Sequence, residues 1–134
     1  QTGYHRDHPK ALCSVTRLEN VLLDPGSTRP TWIRPELLEG SHVGLVTGTL
    51  MARREVFDRV GPFLSTLRVG EDSEWFFRVR DAGITVAVVP EILLCRRIHP
   101  GNLTAQAGAV QSNLLDTVQA SLARRRIAAA GGQS

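Results

Sequence analysis

Gly70-Glu71-Asp72-Ser73-Glu74-Trp75-Phe76-Phe77-Arg78-Val79-Arg80-Asp81-Ala82-Gly83-Ile84-Thr85-Val86-Ala87-Val88-Val89-Pro90 holds the two patterns that decide the fold. Trp75, Phe76, Val79 and Ala82 fall at helical spacing, so one face of a helix is apolar. Gly70 to Ser73 open that helix and Gly83 closes it. Glu74 and Arg78 form an i,i+4 pair of opposite charge along it. Ile84 to Val89 is rich in β-branched residues and reads as a strand, which Pro90 ends. A helix leading directly into a strand is the unit of a mixed α/β layer.

Outward from this unit, Ile92 to Ile98 reads as a further strand, and Pro100-Gly101-Asn102 as a loop. Val110, Leu114, Val118 and Leu122 recur every four residues, which predicts an amphipathic helix before a frayed tail, Ala128 to Ser134. In the other direction, Gly61-Pro62 stops a short helix from Arg53 to Val60, whose Val56, Phe57 and Val60 share a face. Val43 to Met51 reads as a buried strand whose glycines mark a close backbone approach. Asp24 to Pro35 is a loop by composition, Lys10 to Leu18 a strand, and residues 1–10 a mobile start. Three regions follow: a mobile start and Pro/Gly-rich loop over 1–40, a core over 41–104, and a C-terminal helix and tail over 105–134. Too few strands are present to close a sheet, so one exposed edge is expected.

The chain has 134 residues, enough for one domain with one core. Aromatic residues make up 5%, which leaves aliphatic side chains to build most of that core. No apolar run is long enough to span a bilayer, and the polar first ten residues show no signal peptide. A start at Gln1 in place of methionine leads us to expect a piece of a longer protein. The net charge of +3 is matched by the run Arg124-Arg125-Arg126. That excess is too small for nucleic-acid binding, and the few aromatics are not interleaved with basic residues. Arginines at a helix C-terminus complement its dipole, with attraction to an anionic membrane the lesser reading. Cys13 and Cys95 form no metal or disulfide pattern. Both lie in apolar runs, so both are expected as small core residues in a reducing compartment.

Four groups of residues are candidates for chemistry. Glu71 and Asp72 at a helix start serve as caps, or as a general base beside an indole that could wall a sugar ring. Asp72-Ser73-Glu74 has the spacing of a D-x-D metal motif, but residues i and i+2 of a helix point about 200° apart and cannot easily grip one ion. His99 stands on a loop, where an imidazole suits a transition metal if other ligands come from elsewhere. Arg96 and Arg97, just before it, alternate sides in a strand, so one of them could face a phosphate. His5 and His8 are a weaker metal pair.

The order of these pieces is more specific than any one of them. Gly48-Thr49-Leu50-Met51-Ala52-Arg53-Arg54-Glu55-Val56-Phe57 leads into Val60-Gly61-Pro62-Phe63, then Glu71-Asp72, Glu74-Trp75, Arg78, Gly83, Pro90 and Arg97-Ile98-His99. This series resembles the acceptor-binding half of family-2-type glycosyltransferases. The resemblance implies a partial GT-A (Rossmann-like) fold, a mixed sheet flanked by helices, that lacks the nucleotide-binding half. It implies Asp72 as the catalytic base, Glu71 and Trp75 lining the acceptor pocket, and Gly48 and Thr49 beneath the sugar. It implies Arg97 on the diphosphate and His99 at the metal, Mn2+ or Mg2+ in the complete enzyme. The donor would be a nucleoside-diphosphate sugar, UDP- or GDP-linked, and the acceptor a saccharide or a lipid-linked molecule, with inversion at the anomeric carbon. Leu64 stands where the family often has an acid, and Glu74 where it often has aspartate. The family's D-x-D loop does not occur in this sequence, and roughly 100 further residues, a small domain, would be needed to supply it. The expectation is a glycosyltransferase active only with its donor half, joined or associated, or through self-association. It would be cytoplasmic, peripheral at the inner face of the membrane. The alternative is a non-catalytic remnant that binds saccharide.

Overall fold

The computed structural model describes residues 1–102 and 107–132, and over 107–113 the backbone alone. Its central strand is β1 (Cys13–Leu22). One edge of β1 pairs with two short antiparallel strands, β2 (His42–Val43) and β3 (Met51–Ala52). The other edge pairs in parallel with β4 (Val86–Ile98), from Cys13↔Val86 to Leu22↔Ile98. Parallel neighbours need a long crossover, and here it carries α2 (Arg54–Val60) and α3 (Glu71–Asp81). A short α1 (Thr2–Asp7) precedes the sheet and a long α4 (Ala107–Gly131) follows it. The result is a mixed four-stranded sheet with flanking helices, and no strand pairs with the outer edge of β4 among the described residues.

The core lies between β1 and the crossover helices. Cys13 and Val15 of β1 meet Val56 of α2 and Trp75, Phe76 and Val79 of α3, with Ile84 closing the end. Few aromatics are present, but they gather. Phe57, Phe63 and Phe76 surround Trp75 at ring separations of 5.0, 5.2 and 5.4 Å. The Trp75 indole N–H donates to the Gly61 carbonyl at 3.0 Å. Arg78 ties the same two helices together: it is paired with Glu74 at 2.8 Å and donates to the carbonyls of Val60 and Pro62. Gly61 turns the chain out of α2 at φ +83°, a conformation that side chains with a Cβ rarely adopt. The spaced motifs Val60-Gly61-Pro62 and Glu74-Trp75-x-x-Arg78 therefore form one packing joint.

Several sequence expectations change. Val43 to Met51 is not one buried strand. It is β2, a 3₁₀ turn at Thr47–Thr49, then β3. The Thr49 hydroxyl donates back to the carbonyls of Gly44 and Val46, which folds the segment on itself. Pro90 does not end a strand. Thr16 pairs with Val89 and Arg17 with Ile92, so Pro90 and Glu91 bulge out of the ladder where no N–H is needed. Residues 1–10, read as a mobile start, include α1. Gln1 Nε2 donates to the Thr49 carbonyl at 2.7 Å, and His5 Nε2 lies 2.8 Å from Ser14 Oγ. Cys13 is buried as expected, but Cys95 is exposed on β4.

The C-terminal helix forms, but turned about its axis. Leu114, Val118 and Leu122 are exposed, while Thr117 and Ser121 are buried; Val110 lies where only the backbone is described. Asp81 at the end of α3 explains the orientation. Its carboxylate accepts from Ser121, Arg124 and Arg125, each at 2.9 Å. Two of the three consecutive arginines are thus structural. No described helix is long and apolar enough to cross a membrane.

Candidate functional site

Three separated segments converge on the N-terminus of α3. Gly70 adopts a left-handed φ of +86° and places Glu71 and Asp72 in the first helical turn. The folded 44–49 segment brings Leu45 and Val46, and β4 brings Leu94 and Arg96. Together with Val69 and Ser73 they enclose a cavity of about 420 Å³ with Asp72 in its wall. The Gly44 backbone is held by a bond from its N–H to the Thr16 carbonyl at 3.1 Å. A methyl group at Gly44 would come within 2.7 Å of Thr49 Cγ2 and 2.8 Å of Leu18 Cδ2, so only glycine lets this wall close.

Asp72 is half-buried. Burial pushes its carboxyl above the usual aspartate range, and the neighbouring Glu71 charge adds to the effect. The backbone N–H of Ser73, 2.8 Å from Oδ1, and the Arg96 guanidinium pull the other way without cancelling it. Oδ1 is thus fixed by the backbone. The group takes up a proton more readily than an ordinary aspartate.

The other expected site residues fall in different places. Glu71 is half-exposed beside Asp72. Gly48 faces Leu94, whose Cδ2 lies 3.2 Å from the position of a Gly48 Cβ, so it stands beside the cavity. Thr49 is buried, and its hydroxyl is committed to the 44–49 fold. Trp75 is 0% exposed, so it has no face to offer a sugar. Arg97 is exposed on β4, and Arg96 is the arginine of the pair that lines the cavity. Strand alternation carries the missed signal: Leu94, Arg96 and the buried Ile98 share one parity.

His99 begins a turn outside the cavity lining. Its backbone N–H donates to Asn102 Oδ1 at 2.7 Å, and its Nδ1 accepts from the Gly101 N–H at 3.1 Å. An accepting Nδ1 leaves the proton on Nε2 of the neutral ring, which makes that nitrogen a donor in this arrangement. Among the described residues no three His, Cys, Asp or Glu side chains gather as a metal site. His5 and His8 are turned to Ser14 and to the Tyr4 carbonyl. Asp72-Ser73-Glu74 lies in the helix, with Glu74 engaged by Arg78. The described residues do not by themselves make a complete divalent-metal centre. No family model, curated protein or solved structure matches this chain.

Proposed function

We propose that this region is the acceptor-side part of an inverting glycosyltransferase that uses a nucleoside-diphosphate sugar, with Asp72 as its base. The observation that carries the reading is a carboxylate of raised proton affinity sharing a cavity with Arg96. Asp72 takes the proton of an acceptor hydroxyl as its oxygen attacks the anomeric carbon. The bond from that carbon to the diphosphate oxygen breaks, and the electron pair leaves with the nucleoside diphosphate. Arg96 faces the charge that develops on the leaving group; in this reading it takes the role first given to Arg97. A donor-binding half, joined or associated, supplies the nucleotide site and any Mn2+ or Mg2+ ligands. The setting is the cytoplasmic side, at the membrane face where the acceptor is lipid-linked.

A second reading is a saccharide-binding module without turnover. It is favoured by the lack of a gathered metal-ligand set among the described residues. The two are separated by measuring acceptor-dependent release of UDP or GDP from sugar nucleotides by this chain together with its donor-binding half. The transferase reading expects Asp72→Asn to lower release by about 10²–10⁴-fold, with acceptor binding retained. Full transfer by Asp72→Asn overturns it, and metal-independent saccharide binding without any release selects the module.

A further inference from the structure

A larger cavity, about 590 Å³, opens beside the Asp72 pocket and shares Leu45 and Ser73 with it. Its walls are of a different kind. Phe76 and Phe77 of α3, Ile84, Val86 and Leu114 of α4 make most of its surface, and among the described residues its hydroxyls are those of Ser73 and Thr85. The Arg80 guanidinium lies 5.2 Å above the Phe77 ring, which holds that cation against an aromatic face. Such a groove offers few partners to the several hydroxyls of a sugar ring, most of which would lose water without gaining a hydrogen bond. Its volume is that of a site for a drug-sized ligand, and Leu45 and Ser73 are the wall it shares with the pocket where an acceptor hydroxyl would meet Asp72.

Resting on the reading of Asp72 as the base, we propose that the acceptor is an amphiphile. Its hydroxyl-bearing head lies at Asp72 and its apolar aglycone runs past Leu45 and Ser73 into the groove. The substrate class is therefore an alkyl or aryl glycoside or alcohol, in preference to a free sugar.

The test follows backbone amide signals of the labelled chain during titration with octyl and methyl glycosides of glucose and mannose, the octyl compounds below their micelle concentrations, and with 1-octanol. An octyl glycoside is expected to move Asp72 and Ser73 together with Phe77, Thr85 and Val86, and to bind at least tenfold more tightly than its methyl counterpart. Thr85→Arg and Leu45→Asp change exposed side chains at the groove, so the fold is kept, and each is expected to abolish that difference. Equal affinity of octyl and methyl glycosides overturns the proposal while leaving the Asp72 site in place. Shifts confined to the groove, with Asp72 unmoved, overturn it by separating the two cavities, and so does a failure of every probe to bind. Failure of the transferase reading itself shows elsewhere, as transfer unaffected by Asp72→Asn.

Discussion

Trp75 stands one residue past Glu74 on α3, and that position turns its indole inward. Proximity in sequence to Glu71 and Asp72 suggested a wall for a sugar. The apolar periodicity with Phe76 and Val79 suggested a core position, and the core is where the side chain lies. Trp75→Phe keeps an aromatic ring but removes volume and the bond to Gly61. It is expected to lower stability by about 1–3 kcal/mol, read from urea denaturation, with saccharide binding by the folded protein unchanged. Lost binding at an unchanged denaturation midpoint would instead put the indole in the site. Arg96 and Arg97 make the opposite point. Their alternation was legible, but the side that faces the cavity was not. It depends on two register shifts of β4 against β1: the Pro90-Glu91 bulge adds two residues and keeps the alternation, whereas the step from Ile92 to Leu94, opposite Arg17 and Leu18, passes over one residue and reverses it.

At the scale of elements, periodicity located α3, α2 and the C-terminal helix correctly, because apolar spacing reports helical geometry. It did not report which face of α4 meets the body of the protein. That choice belongs to Asp81, whose side chain is 4% exposed. Burial pushes the Asp81 carboxyl up, but hydrogen bonds from Arg125, Ser121 and Arg124 outweigh it and hold the group below its ordinary value. A carboxyl depressed by folding stabilises the native state above its unfolded value of about 3.9. That contribution is lost as pH falls through the folded value. Asp81→Asn is therefore expected to destabilise the protein by about 1–3 kcal/mol at neutral pH, with the gap from wild type shrinking on acidification. The two arginines are partly exposed, so salt should also narrow the gap. A pH-independent gap would mean that charge does not hold α4. Leu122→Gln, on the exposed stripe, is expected to shift stability by no more than about 0.5 kcal/mol. A loss of several kcal/mol would mean that the apolar stripe, and not the Asp81 cluster, packs inward.

In the whole molecule, the Asp72 pocket exists only when separated parts of the chain meet. Asp72 and its helical start were legible, because an acidic pair at a helix N-terminus is a local pattern. The cavity was not, because Val46 reaches it through the Gly44–Thr49 fold and Leu94 and Arg96 reach it through the parallel pairing of β4 with β1. Long-range pairing of this kind leaves no local mark in sequence. The mixed α/β layer and its open edge were readable from element order, whereas the splitting of 43–51 depended on the Thr49 hydroxyl. The account as a whole rests on that assembled pocket raising the proton affinity of one carboxylate. Carbon-13 NMR titration of the Asp72 carboxyl, in the folded chain and again in urea, tests it most directly. We predict a folded value above the unfolded one, lowered by Glu71→Gln and raised further by Arg96→Ala. A folded value at or below that of the unfolded chain, or one indifferent to both substitutions, would contradict the claim that Asp72 is poised as a base.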